Sequence, residues 1–279
     1  MTWRKAAKQV MRRPLAVLGL VIVVLMLLVA IFAPQLAPYD PTKPDFMAIL
    51  QAPSSQYLLG TDEVGRDLLS RLIYGARASI QAGLLAVLIA VAIGVPTGLL
   101  SGYMRGWIDQ LVIMRIADAM IAFPTLVLAL ALAAALGGNL TTAMLAIGIG
   151  SAPAFIRLAR AQALGLREQE FVEAARALGN GSVKVMMKHV FPNMIGPLLV
   201  QTSIAIAAAI LAETALSFLG LGVQPPTPSW GSILRIGTGY MQQAPWLSLY
   251  PGMSIFVTVL GINLLGDGLR DVLDPRDRA

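Results

Sequence analysis

Long apolar runs separated by short polar segments dominate this chain. The first run, Leu15 to Ala33, carries no charged residue. Five further apolar segments lie near residues 78–100, 110–136, 140–163, 195–218 and 249–267. A run of about 20 apolar residues has the length of a membrane-spanning helix, whereas the strands of a membrane β-barrel are shorter and alternate in polarity. The pattern therefore predicts an all-α membrane protein with six transmembrane helices.

The first apolar run follows a basic N-terminal segment, as the apolar region of a signal peptide does. That region is about 7–15 residues long in a signal peptide, and small residues at a cleavage site follow it. Leu15 to Ala33 has 19 residues and ends at Ala33-Pro34, which is a poor cleavage site. We therefore predict that the run is an uncleaved first span.

A polar connection from Pro34 to Tyr74 follows the first predicted span. Thr61 or Asp62 is expected to cap a short helix at the membrane surface, since both residue types accept hydrogen bonds from a first helical turn. Asp62 and Asp67 lack the histidine or metal-ligand cluster that catalysis would require, which favours a solvated, salt-bridged loop. We divide the chain into an N-terminal helix with its extracytoplasmic loop (1–74), a five-helix core (75–267) and a cytoplasmic tail (268–279).

The distribution of charge predicts which way the chain crosses the membrane. Only 13% of the residues are charged, against about 25% in typical soluble domains. With six spans, 16 of the 21 lysines and arginines fall on the same side of the membrane as the N-terminus. Cytoplasmic segments of membrane proteins are enriched in Lys and Arg. We therefore predict that both termini are cytoplasmic, and we attribute the net charge of +6 to this asymmetry rather than to nucleic-acid binding.

The segment from Glu173 to Pro192 is the most polar long stretch of the second half, and it lies between two apolar runs. Its spacing predicts two short helices joined at Gly179-Asn180-Gly181, residues that tolerate the positive φ of a sharp turn. The first helix is expected to turn Glu173 away from an apolar face of Phe171, Ala174, Ala175 and Leu178. The expected apolar face of the second is Val183, Met186, Met187 and Val190. Pro192 is expected to close the second helix.

This segment resembles the "EAA" loop of ABC importer permeases. Gly179 follows Glu173-Ala174-Ala175 at the spacing of that signature, and nine residues separate Gly179 from His189. The family often has Ile and Leu where His189 and Phe191 stand, and both residues present here fit a partly buried helix. The resemblance implies that residues 164–193 form a cytoplasmic coupling loop that docks on an ATPase subunit. The implied docking residues are Phe171, Glu173, Ala174, Ala175, Leu178, Gly179, His189 and Pro192. The alternative is a plain helical hairpin between two spans.

Further motifs resemble the oligopeptide and dipeptide branch of these permeases, so that the resemblance covers essentially the whole chain. They are Gly60-Thr61-Asp62, Gly65-Arg66-Asp67, Glu213 to Gly222 and Asn263 to Asp271. The resemblance implies a type I ABC importer permease fold in the bacterial inner membrane and import of peptides or similar small solutes. It also implies a second permease subunit, two ATP-binding subunits that hold ATP-Mg, and an extracytoplasmic solute-binding protein. No stretch matches the phosphate-binding G-x-x-x-x-G-K-[ST] loop, so the chain itself is not expected to be an enzyme.

Two acidic residues lie inside the predicted spans, where ionisable groups are costly and often functional. Asp118 lies three residues after Arg115, so an ion pair between them is one interpretation and a role near the transport pathway is the other. Glu213 has no basic neighbour in sequence, which leaves a packing role and a gate or pathway role both open. His189, the only histidine, is expected at an interface or surface. With one histidine and no cysteine, no metal site or cofactor is expected on this chain.

Two other functions are compatible with a polytopic membrane protein. A secondary transporter working alone would carry charged and polar residues on broken helices for ion coupling, and only Asp118 and Glu213 qualify here. A membrane scaffold without a transport pathway is the third class. Uptake into liposomes by the purified chain alone would identify the secondary transporter.

Overall fold

The computed structural model describes residues 10–273 of the chain, and the regular structure within that range is helical. The helices are α1 Pro14–Ile31, α2 Ala33–Leu36, α3 Leu68–Met104, α4 Met114–Ala122, α5 Thr125–Leu136, α6 Leu140–Arg167, α7 Glu170–Ala177, α8 Ser182–Val185, α9 Phe191–Phe218, α10 Trp230–Gly239 and α11 Trp246–Leu273. Two π-helical turns, Asp109–Ile113 and Met186–Val190, directly precede α4 and α9. The prediction of an all-α fold is confirmed for this part of the chain.

A sharply bent helix pair occupies the place of the third predicted span. Five other helical stretches in residues 10–273 are long and apolar enough to cross a membrane, and α4 with α5 makes a sixth candidate. The two halves of this candidate meet at 96°, so the apolar segment predicted near 110–136 is present but sharply bent. Pro124 explains the break, because its ring disfavours the helical conformation at Phe123, which has φ −88° and ψ 137°. Six spans are reached when the bent pair counts as one.

Helices α3 and α6 pack closely along a row of glycines. Gly94, Gly98 and Gly102 are spaced four residues apart, on one face of α3. A Cβ at Gly98 would lie 2.4 Å from the carbonyl oxygen of Ile156, and one at Gly102 would lie 2.5 Å from that of Arg160. Small residues at this spacing let two helix backbones approach closely in a membrane. The glycines therefore determine how α6 is placed against α3.

The two ends of the described chain lie at the same end of the bundle. Helix α1 packs antiparallel on α11, and the Arg13 guanidinium ahead of α1 contacts the Asp271 carboxylate late in α11. At the start of α11, Trp246 Nε1 donates to the carbonyl oxygen of Thr61, just ahead of α3, at 3.2 Å. Helices α3 and α11 thus begin at the same end of the bundle. Both described ends of the chain lie toward the end of the bundle where α3 finishes.

A buried ion-pair cluster organises the loop ahead of α3. Asp62 is 1% exposed, accepts a hydrogen bond from Arg66 Nε at 2.6 Å and lies 3.1 Å from Arg71 Nε. The prediction of a salt-bridged loop is confirmed, although the carboxylate is buried rather than solvated. The predicted helix cap at Thr61 or Asp62 is wrong, because Asp67 caps α3 by accepting from the first turn at 2.8 Å. Since α3 begins at residue 68, the division proposed between residues 74 and 75 falls inside this helix.

Candidate functional site

A hairpin of short helices joins α6 to α9 at the end of the bundle where α3 finishes. After α7 and a turn, α8, the π-helical turn Met186–Val190 and α9 form one continuous helix from Ser182 to Phe218. The prediction that Pro192 ends the second helix is therefore wrong. Pro192 has no N–H to donate to the preceding turn, and the wider π-helical turn directly before it accommodates the proline.

Gly179 makes the turn of the hairpin. Its φ is +79°, a conformation that glycine adopts far more readily than other residues. Gly179 N donates to the carbonyl oxygen of Arg176 at 2.8 Å, and Asn180 N donates to that of Ala175 at 3.3 Å. Asn180 Nδ2 adds a bond to the Ala175 carbonyl at 2.9 Å. The turn predicted here is confirmed, and its positive φ lies at Gly179.

Helix α7 buries a different face from the one that its sequence predicts. Val172 is fully buried and Ala175 is 5% exposed, whereas Phe171 is 43% and Leu178 is 83% exposed. Ala174 is exposed as well, so Ala175 is the one residue of the predicted apolar face that is buried. The helix has apolar residues along two edges, and helical spacing alone does not show which edge the rest of the chain covers. Glu173 is exposed, as its position in the pattern predicts.

The second half of the hairpin also turns apolar side chains outward. Val185, Met186 and Val190 are buried, but Val183 is 70% and Met187 is 55% exposed, so the predicted second face is wrong for these two. The apolar side chains that the hairpin leaves uncovered, called the exposed hairpin residues from here on, are Phe171, Ala174, Ala177, Leu178, Val183 and Met187.

The remaining predicted docking residues lie where the hairpin meets α9. His189 is half-buried on the π-helical turn, and Pro192 is exposed at the start of α9. Within residues 10–273, no group of three or more His, Asp or Glu side chains is placed to hold a metal ion. The placement of His189 agrees with the surface or interface position expected for it.

Arginines hold the hairpin against the end of α3. Arg167 Nη1 donates to the backbone carbonyl of Tyr103 at 2.9 Å, and Arg176 Nε donates to the Tyr103 hydroxyl at 3.2 Å. The Arg176 guanidinium also lies over the Tyr103 ring, 5.1 Å from its centroid. Arg105 and Glu168 approach to 3.8 Å. The contacts join residues far apart in sequence, and the sequence pattern did not indicate them.

Asp118 pairs with an arginine on another helix. Arg157 Nη2 on α6 donates to Asp118 Oδ1 at 2.5 Å, so the predicted pair with Arg115 is wrong. Helical spacing identifies neighbours on the same helix, but α6 packs against α4 and supplies this cation. One turn further along α6, Arg160 binds Asp109 through two hydrogen bonds, at 2.7 and 2.8 Å. These two pairs tie α6 to the segment that contains α4.

Glu213 is fully buried on α9, where it faces α3. Ser217 Oγ donates to Glu213 Oε1 at 2.7 Å and accepts from Val223 N at 3.0 Å. Among the described residues, neither Glu213 Oε2 nor the buried Ser79 hydroxyl on α3 has a hydrogen-bond partner. The carboxyl group thus belongs to a small polar cluster inside the protein. This placement favours a packing role, and a gate role for Glu213 or Asp118 stays a prediction.

A cavity of about 710 Å³ opens between α4, α5, α6 and α9. Alanine, leucine and isoleucine side chains form most of its wall, and Thr125, Ser151 and Gln201 add polar groups. Among the described residues, Arg157 is the charged residue that lines it. The volume is within the range of about 300–1,000 Å³ that is usual for small-molecule sites. The partner of Asp118 therefore lies in the wall of a cavity large enough for a small solute.

Two family models match the chain. Residues 94–278 match the binding-protein-dependent transport system inner membrane component. Residues 2–53 match the N-terminal TM domain of oligopeptide transport permease C. The first match covers the hairpin, the cavity and both arginine–aspartate pairs. The second covers the first predicted span and part of the loop that follows it.

The chain is similar to several permease proteins along nearly its whole length. The chain is 46% identical over 276 residues to the dipeptide transport system permease protein DppC of Alkalihalophilus pseudofirmus, covering 98% of this chain and 90% of that protein. It is 48% identical over 263 residues to the probable D,D-dipeptide transport system permease protein DdpC of Escherichia coli, covering 94% and 88%. It is 43% identical over 275 residues to the glutathione transport system permease protein GsiD of Shigella flexneri, covering 98% and 90%.

A solved structure shares the fold. A chain of the MetNI methionine ABC transporter, in an inward facing conformation, aligns with a TM-score of 0.60 and 17% identity, over 74% of this chain and 98% of that chain. This likeness shows the fold alone, and it confirms the predicted importer permease fold. The family confirms the prediction of a membrane permease rather than an enzyme. The chain therefore belongs to the family of binding-protein-dependent transport system inner membrane components, and it is a multi-pass permease subunit of an ABC importer in the bacterial inner membrane.

Proposed function

We propose that this permease imports peptides or similar small solutes, driven by ATP-Mg on separate subunits. The relatives named above belong to transport systems for dipeptides, D,D-dipeptides and glutathione, which are all small peptides. The cavity of about 710 Å³ has room for a solute of that size. In this proposal the importer contains a second permease subunit, two ATP-binding subunits and an extracytoplasmic solute-binding protein that delivers the solute.

The exposed hairpin residues are the observation that carries the proposal for coupling. Leu178 and Val183 are 83% and 70% exposed, although both are large apolar side chains. Apolar groups left uncovered together in this way mark a surface that a partner covers. The buried Val172 and Ala175, together with the contact between Arg176 and Tyr103, hold that surface on the bundle. We therefore assign residues 164–193 as the loop that docks on an ATP-binding subunit.

The docking residues have different parts in this assignment. Phe171, Ala174 and Leu178 contact the ATP-binding subunit directly, and the exposed Glu173 adds a charge contact. Ala175 and Gly179 give the hairpin its shape, the first by close packing and the second by its positive φ. His189 and Pro192 contribute at the junction with α9.

The hairpin is connected directly to the helices around the cavity. It continues into α9 without a break, and it follows α6 after a short turn. Helices α6 and α9 both line the cavity. The hairpin therefore transmits a movement to the cavity wall when the ATP-binding subunits close on ATP. The two states of the importer then offer the solute different contacts, and this difference produces alternating access.

The test is the association between the permease and its ATP-binding subunits. Leu178→Asp and Phe171→Asp should insert normally, since the apolar spans drive insertion, but should lose copurifying ATP-binding subunit and stimulated hydrolysis. Burial of one such side chain stabilises a contact by about 1.5–3 kcal/mol, so affinity should fall roughly tenfold or more. The matched control is Met47→Asp, which replaces a 91% exposed side chain at the opposite end of the bundle.

Two further variants examine the shape of the hairpin. Ala175→Trp overpacks a buried position at a cost of about 1–3 kcal/mol, and Gly179→Val places a β-branched side chain at φ +79°. Both should reach normal membrane levels and lose the ATP-binding subunit or the stimulated hydrolysis. Normal copurification and normal hydrolysis in the hairpin variants would show that residues 164–193 only connect two spans.

A further inference from the structure

Two arginines on α6 are held in different ways. Arg160 is 23% exposed and binds both oxygens of Asp109, at 2.7 and 2.8 Å, in the fork geometry that guanidinium and carboxylate groups prefer. Arg157 is 48% exposed and, within residues 10–273, makes a single hydrogen bond, to Asp118. A guanidinium carries several N–H donors, so most donors of Arg157 remain for another acceptor.

Arg157 lines the cavity between α4, α5, α6 and α9. Small apolar side chains form most of that wall, and Ser151 and Gln201 add a hydroxyl and an amide group. A largely apolar wall with one cation and a few hydrogen-bonding groups suits a small solute that carries an anion at one end. The planar fork of a guanidinium matches the two oxygens of a carboxylate.

We propose that Arg157 binds a carboxylate of the transported solute in this cavity. The permease would then select for solutes with a free carboxyl group, such as the C-terminus of a peptide. Asp118 positions the guanidinium through one hydrogen bond and balances its charge while the cavity holds no solute. This inference rests on the proposed function, since it requires that the cavity lies on the transport pathway.

The test is solute uptake by the complete importer in liposomes, with its solute-binding protein and ATP. The probes are L-alanyl-L-alanine and its C-terminal amide. Any selectivity of the solute-binding protein is the same in every experiment, so the acid-to-amide ratio of kcat/KM is compared between permease variants. Arg157→Gln removes hydrogen bonds to a charged group and should lower that ratio roughly 10- to 100-fold, through uptake of the acid.

A second variant separates the carboxylate site from a structural ion pair. Asp118→Asn frees Arg157, so in the proposed site the ratio is maintained or rises. If the pair only stabilises the fold, Asp118→Asn and Arg157→Gln should lower uptake of both probes equally, with less complex recovered. The matched control is Arg115→Gln, which changes an exposed arginine of α4 that does not line the cavity and should leave the ratio as in the native importer.

Several results would overturn the inference. An unchanged acid-to-amide ratio in Arg157→Gln would show that Arg157 does not bind the carboxylate, and it would leave the proposed function intact. Loss of the second permease from the purified Arg157→Gln complex would show that this face of the cavity is a subunit interface. No ATP-dependent uptake of the acid by the native importer would overturn the proposed function and the inference together.

Discussion

Replacing the buried carboxyl group of Glu213 is expected to destabilise the permease. Glu213→Leu keeps a side chain of similar size, so the packing of α9 changes little. The Ser217 hydroxyl, which donates to Glu213 Oε1 at 2.7 Å, loses its acceptor. A buried donor left without an acceptor costs about 1–3 kcal/mol, and the Ser217 side chain is 1% exposed, so solvent does not replace the lost bond.

Glu213→Gln distinguishes the hydrogen bond from the charge. A glutamine keeps a carbonyl oxygen for Ser217, and its amide group has a nearby acceptor in the Ser79 hydroxyl, which has no other partner among the described residues. This variant should therefore cost less than Glu213→Leu. If Glu213 instead belongs to a gate, both variants should assemble normally and transport poorly.

Thermal unfolding of the purified complex in detergent measures the effect. Ser217→Ala is combined with Glu213→Leu in a double-mutant cycle, since Ser217→Ala also removes the acceptor for Val223 N in both backgrounds and that loss cancels. The cost of Ser217→Ala should be smaller when Glu213 is already leucine. Glu213→Leu complexes with native unfolding temperature and full transport would refute both the packing role and the gate role.

Two further predictions concern packing and topology. Gly98→Ala places a Cβ 2.4 Å from the Ile156 carbonyl oxygen and should destabilise the fold by about 1–3 kcal/mol. Gly165→Ala is the control, because a Cβ there meets nothing within 4 Å and should not destabilise the fold. Thermal unfolding of the two variants, measured side by side, checks this. The chain has no cysteine, so single introduced cysteines report topology. We expect outside labelling at Thr42 and Gln224 and inside labelling at Asn180, and inside labelling at Gln224 would contradict six spans with cytoplasmic termini.

Features that depend on close neighbours in the chain could be predicted from the sequence. The length of each apolar run determined the helical spans, because a membrane-crossing helix needs a minimum apolar length whatever lies beside it. Gly179 could be placed in a turn because its freedom at positive φ belongs to the residue itself. The resemblance to the permease family could also be found from the sequence, since the residue spacing from Glu173 to Pro192 does not depend on the tertiary structure.

Features that depend on what a residue packs against were decided by the tertiary structure. Helical spacing identified apolar positions in α7, but the chain buries Val172 and leaves Leu178 exposed, because α6, α8 and the π-helical turn before α9 pack against only one edge of that helix. Asp118 has a cation three residues away in sequence and pairs with Arg157 instead, because the close packing of α3, α6 and α4 brings that side chain to it. Burial and pairing of this kind arise from contacts between distant segments, which no local pattern contains.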